Sequence, residues 1–270
     1  MTHRFFSGLV APLHISHRGG AKRYPENTLY AFEQAVKVHR TDMLELDVHA
    51  SRDCVVVVAH DATLERCTNG TGALKELPWT ELSKLDAAFH FTPAGSSGTP
   101  LRGSGLGLSR LSDVLSAFPG LKINVELKDE AALAPFVDLV RGTDELDRLC
   151  IGSEHDGIAE ALVKVLPDAC YFFPANALAA FVFAVKGGEE PPEGPWTVLD
   201  LPYEWEGMVV FDAQLARAAA AKGKWINVWT VDDPAQMRQA IADGVGGIMT
   251  DLPDVLRAVL DEPRSGRVST

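Results

Sequence analysis

Residues 43–60, MLELDVHASRDCVVVVAH, decide the fold, because two apolar runs follow each other there after a very short turn. The runs at residues 43–49 and 54–60 each have the length and composition of a buried β-strand. The connection at residues 51–53 is so short that the second strand can only return antiparallel to the first, as a hairpin. The second run therefore begins an insertion and does not add a strand to a parallel sheet.

Outside this hairpin, short apolar segments alternate with helical patterns, which is typical of βαβ units and a parallel sheet. Eight strands are predicted, at residues 14–18, 43–49, 123–128, 149–153, 169–173, within 198–211, 226–231 and 247–250. Helices are predicted at residues 27–39, 111–118, 212–222 and 234–242. The chain has 270 residues, enough for a (β/α)₈ barrel, which commonly needs about 250.

The predicted fold class is therefore α/β, a (β/α)₈ TIM barrel with a small insertion between strand 2 and helix 2. A single domain is predicted over residues 1–270, with the insertion at about residues 52–109. The insertion ends in a stretch at residues 92–108 that is rich in glycine and serine, as flexible segments are.

The overall charge argues against nucleic acid as a partner. The formal net charge is −12 and the pI is near 5.1, whereas each phosphate contact needs a nearby Lys or Arg. A small anionic substrate is compatible with this charge, since a bound divalent cation can reverse the local field. The four cysteines are far apart and form no CxxC pair, which predicts a reduced, cytoplasmic protein.

No transmembrane segment and no signal peptide are predicted. The first strand already begins within LHISHRGG, residues 13–20, so cleavage near the N-terminus would remove part of the fold. The longest apolar run, residues 175–185, is too short to span a bilayer and is predicted to be a buried helix. Residues 175–205 otherwise show no pattern that assigns them a role.

Acidic side chains recur at the ends of two successive predicted barrel strands. Glu45 and Asp47 are two residues apart, so both project from the same face of their strand, and Glu126 and Lys128 repeat this arrangement. The C-terminal end of the strands is the catalytic end of a (β/α)₈ barrel. Three confined carboxylates need a compensating cation, and their oxygens suit Mg²⁺, Ca²⁺ or Mn²⁺. A metal site is predicted; the alternative is a set of separate surface or salt-bridged acids.

Two histidines and an arginine are predicted to meet these carboxylates. His17 and Arg18 end the first strand, and His60 ends the hairpin that returns alongside the second strand. Two imidazoles flanking a phosphorus centre can serve as general base and general acid, and a guanidinium matches phosphate oxygens. The other histidines are interpreted as structural or surface residues: His3, His14, His39, His49, His90 and His155.

The chain also resembles a known family through seven ordered motifs: HISHRGG, PENT, LELDVHASRD, VVVVAHDATLERCTNGTG, VELK, NVWTVDD and GIMTDLP. In order and spacing they resemble the glycerophosphodiester phosphodiesterase family over about residues 13–128 and 210–253. The resemblance implies a (β/α)₈ barrel with an insertion after strand two. It also implies these roles: His17 and His60 as the acid and base, Glu45, Asp47 and Glu126 as metal ligands, Arg18 and Lys128 as phosphate contacts, and Trp229 as an aromatic wall of the substrate pocket.

Some positions depart from the family pattern. Cys54 stands where a turn glycine is usual, Gly246 stands where an aspartate is common, and residues 94–109 lack the usual Ile-Pro-Thr-Leu approach to the next helix. None of these removes a catalytic residue. They bear on the shape of the insertion and on substrate choice.

The reaction implied by the resemblance is metal-dependent hydrolysis of a glycerophosphodiester to sn-glycerol 3-phosphate and an alcohol. The cofactor would be one divalent cation, Mg²⁺ or Ca²⁺ with Mn²⁺ as the alternative, and the partner a small-molecule substrate. The sequence leaves open which histidine is the acid, whether water or the substrate's own hydroxyl attacks, the alcohol group and the oligomeric state.

Two other functions are weighed. The first is a lipid-directed barrel enzyme, a lysophospholipase D or a phosphatidylinositol-type phospholipase C, which the apolar residues 178–185 support. The second is a catalytically silent barrel that binds phosphodiesters.

Among the remaining residues, Asn27 is predicted to cap the first helix. Four tryptophans are predicted to be packing residues: Trp79, Trp196, Trp205 and Trp225.

Overall fold

The predicted parallel strands form a barrel in the computed structural model, which describes residues 3–263. In chain order the strands are β1 (Leu13–His17), β2 (Met43–Ala50), β3 (Val56–Val58), β4 (Ser109–Arg110), β5 (Lys122–Leu127), β6 (Leu149–Gly152), β7 (Cys170–Tyr171), β8 (Val198–Pro202), β9 (Glu204–Trp205), β10 (Met208–Val209), β11 (Trp225–Trp229) and β12 (Gly247–Thr250).

Helices surround the barrel strands. The α-helices are α1 (Leu29–Lys37), α2 (Trp79–Leu82), α3 (Leu111–Ala117), α4 (Leu133–Val140), α5 (Asp156–Val165), α6 (Ala175–Gly187), α7 (Ala213–Ala221), α8 (Pro234–Ala242) and α9 (Pro253–Leu260). Short 3₁₀ helices lie at Arg4–Phe6, Leu74–Glu76, Glu130–Ala132 and Asp144–Arg148.

Eight strands pair in parallel in the order β7-β6-β5-β2-β1-β12-β11-β8. The ends of this sheet meet through a parallel bridge between Phe172 and Val198, where the Phe173 amide donates to the Val198 carbonyl at 2.9 Å. All eight residues of β2 are buried, as expected for a strand covered on both faces. The predicted (β/α)₈ barrel is confirmed.

The predicted hairpin is also confirmed. β3 pairs antiparallel with β2, with Val48 opposite Val58, and β4 pairs antiparallel with β3. Cys54 in the turn has φ +61°, a conformation that favours glycine, which explains why a glycine is usual at this position in the family. The insertion has a small core of its own, made by Val57, Leu64, Leu74 and Leu82. A single domain with its insertion at about residues 52–109 stays a prediction.

The prediction of a buried helix at residues 175–185 is correct in type and wrong in burial. α6 covers this segment, but only Phe181 and Val185 are buried in it, and Phe183 is 75% exposed. The helix is part of the outer layer, so only one of its faces packs on the barrel. Within residues 3–263, no helix is long and apolar enough to cross a bilayer.

Candidate active site

The predicted carboxylates meet at the C-terminal end of the barrel strands. Asp47 on β2 lies opposite Glu126 on β5 in the parallel register, and Glu45 lies on the same face of β2. One carboxyl oxygen from each of the three residues lies within 4.8 Å of the other two. Three hard oxygen donors around one point are the ligand set that Mg²⁺, Ca²⁺ and Mn²⁺ prefer.

The pKa values of these carboxyl groups reflect the crowding. Burial and the neighbouring Asp47 raise the pKa of Glu45 to about 7. Burial would also raise the pKa of Asp47, but the cations Arg18 and Lys128 outweigh it and hold this pKa below its ordinary value. Burial raises the pKa of Glu126. A further positive charge at this point would stabilise all three as carboxylates, so the cluster fits a divalent cation.

Two basic side chains lie against the carboxylates. Lys128 donates to Glu126 at 2.8 Å and lies 3.2 Å from Asp47. The Arg18 Nε lies 3.2 Å from the other Asp47 oxygen, and the Arg18 amide donates to Glu45 at 3.0 Å. Both cations border the same pocket as the carboxylates, so both can reach the oxygens of a bound phosphate.

His17 is held in one orientation by an aspartate from the far end of the chain. Its Nδ1 donates to Asp251 at 2.7 Å, and its Nε2 lies 3.8 Å from a Glu45 oxygen. Burial lowers the pKa of His17, but the negative charges of Glu45 and Asp251 outweigh it and raise the pKa above its ordinary value. The free Nε2 can exchange a proton with a group in the pocket.

His60 reaches the pocket because of the hairpin register. The Ala59 amide donates to the Asp47 carbonyl at 3.0 Å, so the next residue lies beside the carboxylates. The His60 Nδ1 donates to Asp61 at 2.7 Å. The His60 carbonyl accepts from His49 at 3.0 Å.

His49 is therefore a structural residue that supports the site. Its two ring nitrogens face the Asp129 carboxylate at 2.6 Å and the His60 carbonyl, both of which only accept hydrogen bonds. Burial lowers the pKa of His49, but the bonds to Asp129 and to the carbonyl outweigh it and raise the pKa. A doubly protonated ring can satisfy both acceptors at once.

The turn after β1 depends on unusual backbone conformations. Gly19 has φ +84°, and a Cβ at this position would lie 2.8 Å from the Cβ of Ala31. Arg18 and Asn27 also have positive φ, at +51° and +59°. The prediction that Asn27 caps the first helix is wrong: Thr28 accepts from the Ala31 amide, while Asn27 donates to Asp47 at 3.0 Å. The Asn27 side chain is therefore buried against the carboxylates and does not cap the helix.

All eight predicted site residues line one pocket, a cavity of about 600 Å³. They are His17, Arg18, Glu45, Asp47, His60, Glu126, Lys128 and Trp229. Within the described part of the chain, the six histidines interpreted as structural or surface residues do not line it. The polar side of this cavity will be called the floor. It is formed by seven of these residues: His17, Arg18, Glu45, Asp47, His60, Glu126 and Lys128.

One wall of the pocket is apolar and was not predicted from the sequence. It consists of α6 and the β9–β10 hairpin, and will be called the rim: Leu178, Ala179, Val182, Phe183, Trp205 and Met208. Trp205, predicted to be a packing residue, is 56% exposed at the tip of this wall. Trp79, Trp196 and Trp225 do not line the pocket.

A partly buried carboxyl group that lines the pocket was also missed. Asp200 on β8 accepts from Asn124 at 2.6 Å and from Asn227 at 2.8 Å, and it lines the pocket. Burial raises the pKa of Asp200 to about 7, although both hydrogen bonds lower it. Its partners lie 76 and 27 residues away in the sequence, so no local pattern indicates the contact.

The fold and the pocket define a class of protein. Catalytic sites of (β/α)₈ barrels lie at the C-terminal ends of the strands, where this chain joins two oriented histidines, three carboxylates and two cations. Such a set is suited to hydrolysis of a phosphate ester and marks a barrel hydrolase.

Comparison with known proteins identifies the family. The profile of the Glycerophosphoryl diester phosphodiesterase family matches residues 17–164 and 172–255. The chain belongs to this family and is an enzyme, a phosphoric diester hydrolase acting on glycerophosphodiesters. The alternative of a catalytically silent barrel is therefore not retained.

Individual relatives span nearly the whole chain. A probable glycerophosphodiester phosphodiesterase 2 of Mycobacterium tuberculosis is 28% identical, over 91% of this chain and 89% of that protein. The human lysophospholipase D GDPD1 is 30% identical, over 92% of this chain and 85% of that protein. A phosphodiesterase of Oleispira antarctica, solved in complex with the product sn-glycerol-3-phosphate, superposes with a TM-score of 0.75 and 23% identity, over 96% and 99% of the two chains.

Proposed function

We propose that this enzyme cleaves a glycerophosphodiester to sn-glycerol 3-phosphate and an alcohol, with one divalent cation and with His17 and His60 as the acid and base. The observation that carries the proposal is that both histidines and the three clustered carboxylates line a single pocket. The product bound to the Oleispira antarctica phosphodiesterase supports the identity of the phosphate product.

In this proposal Glu45, Asp47 and Glu126 hold the cation, Mg²⁺ or Ca²⁺, with Mn²⁺ as the alternative. When bound, such a cation polarises the phosphorus centre and offsets negative charge on its oxygens. The proposal is supported by the three oxygen donors within 4.8 Å of one another and by the raised pKa of Glu45, which an added positive charge would lower.

The protein's own groups do the remaining work. Arg18 and Lys128 bind non-bridging phosphate oxygens and stabilise the charge that builds up in the transition state. One histidine removes the proton of the attacking hydroxyl, and the other protonates the leaving oxygen. Asp251 and Asp61 each accept from the Nδ1 of one histidine, which leaves Nε2 as the proton-transfer atom in both. Trp229 forms an aromatic wall against the substrate.

One assay panel tests this proposal. Release of sn-glycerol 3-phosphate from short glycerophosphodiesters is measured with chelator and after Mg²⁺, Ca²⁺, Mn²⁺ or Zn²⁺ is added back. We expect activity that chelator removes and that Mg²⁺ or Ca²⁺ restores. Full activity in chelator would contradict the metal assignment, and release of a different phosphate product would contradict the reaction.

The rim favours a second candidate, a lysophospholipase D activity. Phe183 is 75% exposed and Met208 is 66% exposed, and both line the pocket beside the floor. An exposed apolar wall beside a phosphate-binding floor fits a substrate that carries a hydrocarbon chain. The human relative named lysophospholipase D GDPD1 supports this candidate. Comparing a lysophospholipid with a short glycerophosphodiester as substrates decides between the two.

Two further expectations remain proposals. A cytoplasmic location is supported by four free cysteines, of which Cys150 and Cys170 are buried side by side on neighbouring strands. The absence of a nucleic-acid partner is supported by the net charge of −12.

A further inference from the structure

A chain of ion pairs connects the insertion to the floor of the pocket. Arg66, in the insertion, donates from Nη1 and Nη2 to both oxygens of Glu26, at 2.7 and 2.9 Å. The same guanidinium donates from Nε and Nη2 to both oxygens of Asp61, at 2.5 and 3.1 Å. One arginine thus holds two carboxylates at once, each through two hydrogen bonds.

Each of those carboxylates holds a residue of the floor. Asp61 accepts from His60 at 2.7 Å, and Glu26 accepts from Arg18 at 3.2 Å. Arg66 itself does not line the pocket. A single carboxylate links Arg66 to each of these floor residues: Asp61 links it to His60, and Glu26 links it to Arg18.

We propose that Arg66 is a positioning residue, which fixes the proton-transfer orientation of His60 through Asp61 and anchors this unit to Glu26 on the barrel. This inference rests on the proposed function, because it gives Arg66 a task only if His60 transfers a proton. Among residues 3–263, Arg66 is the one basic side chain besides His60 itself that donates to Asp61, so the orientation of this carboxylate depends on Arg66.

The charges of the three groups agree with this arrangement. Burial would raise the pKa of Glu26, but Arg66 and Arg18 outweigh it and hold this pKa below its ordinary value. Hydrogen bonds from Arg66 lower the pKa of Asp61 to about 2. Both carboxylates therefore stay ionised throughout the neutral range, and the geometry around Arg66 is constant there.

Three variants separate positioning from a general loss of stability. Arg66→Met removes the charge and the fork of donors, whereas Arg66→Lys keeps the charge alone. Arg238→Met is the matched control, because Arg238 on α8 forms a comparably exposed ion pair with Glu262, which follows α9, at 2.6 Å. We expect Arg66→Met to lower kcat/KM by about 10- to 100-fold, Arg66→Lys to recover part of the loss, and Arg238→Met to have no effect.

The route of the effect is tested in a second background. In Asp61→Ala the link between Arg66 and His60 is already gone, so adding Arg66→Met should cost much less than it does in the wild type, namely only what the remaining contact through Glu26 to Arg18 contributes. An equal loss from Arg66→Met with and without Asp61 would mean that Arg66 acts by another route, and would overturn the inference.

A spectroscopic readout is independent of activity. In ¹⁵N-histidine spectra of the wild type, the neutral His60 ring should carry its proton on Nδ1, because Asp61 accepts there. Arg66→Met should shift the ring toward a mixture of tautomers, and Arg238→Met should not. An unchanged His60 signal in Arg66→Met overturns the inference. If the wild type fails to cleave glycerophosphodiesters, the proposed function fails. The spectrum still decides whether Arg66 determines the tautomer of the His60 ring.

Discussion

The floor and the rim of the pocket differ in how their side chains are held. Asp47 on the floor is only 1% exposed and contacts Arg18, Lys128 and Asn27, so its position is fixed from three sides. Phe183 on the rim is 75% exposed and belongs to a helix with few buried residues. Ion-paired side chains keep the fixed positions that a chemical step requires. Exposed apolar side chains can adjust their positions to different substrates. Changes to the floor should therefore stop the reaction, and changes to the rim should alter which diester is accepted.

The largest effect is expected from the carboxylate cluster. Changing Glu45, Asp47 or Glu126 to Ala leaves water in place of a hard ligand, so metal binding should weaken and activity should fall to the uncatalysed background. Calorimetric titration with Mg²⁺ or Ca²⁺ and the rate assay measure both. Glu154→Ala is the matched control, since Glu154 lines the pocket outside the cluster. Metal affinity equal to that of the wild type in all three variants would refute the assignment.

The next effect concerns the stability of β1, the strand that ends in His17. Burial lowers the pKa of His14 to about 4, and its ring bonds the Pro253 carbonyl at 2.8 Å. The unfolded chain binds this proton near its ordinary pKa of about 6.5. The contribution of neutral His14 to the free energy of unfolding is therefore fully present above about pH 6.5. It is lost as the pH falls toward 4, by up to about 3 kcal/mol.

Urea unfolding of the wild type and of His14→Gln across this range checks the expectation. Because glutamine does not titrate, the difference in unfolding free energy between the two proteins should shrink as the pH falls. A difference that stays constant between pH 7 and 4 would show that His14 contributes no pH dependence.

A smaller effect is expected at Asp251, which orients His17. Asp251→Asn should lower kcat/KM by about 10- to 100-fold, because the ring loses its fixed orientation. The limb of the pH profile due to His17 should also move to lower pH, since a negative neighbour that raises the pKa of His17 is removed. The control is Asp254→Asn, which breaks an ion pair with Arg23 nearby. An unchanged pH profile in Asp251→Asn would argue against an orienting role.

The smallest effect is expected at the rim and only for a substrate with a hydrocarbon chain. Phe183→Ser should raise KM for a lysophospholipid by about tenfold, since much of the contact area of one aromatic side chain is lost. KM for a short glycerophosphodiester should not change. Val10→Ser is the matched control, because Val10 is 76% exposed and does not line the pocket. Equal effects on both substrates would show that the rim does not contact an acyl chain.

The floor could be predicted from the sequence because its residues lie on regular strands or within two residues of a strand end. Two local features place these side chains. The two-residue spacing of Glu45 and Asp47 puts both on the same face of their strand, and the hairpin brings His60 to the same end of the barrel. The resemblance to the family added the role of Trp229. The group that orients His17 could not be predicted, since Asp251 is 234 residues away in the sequence.

The rim could not be predicted for a different reason. Residues 175–187 are apolar on nearly every side, so no periodicity indicates which face packs on the barrel. The β9–β10 hairpin, Glu204–Trp205 with Met208–Val209, is too short to stand out from a loop. Its position beside α6 follows only from closure of the barrel, which is a long-range property.

The central claim, that His17 and His60 divide the two proton transfers, is tested most directly by crossing two variants with two substrates. His17→Ala and His60→Ala are each assayed on a glycerophosphodiester with an ordinary alcohol and on a diester with a nitrophenyl leaving group, which needs little protonation as it departs. Each variant should lose about 10²- to 10⁴-fold on the ordinary substrate. On the nitrophenyl diester the variant lacking the general acid should recover most of its rate, and the variant lacking the general base should not. Equal, small losses for both variants on both substrates would contradict the account.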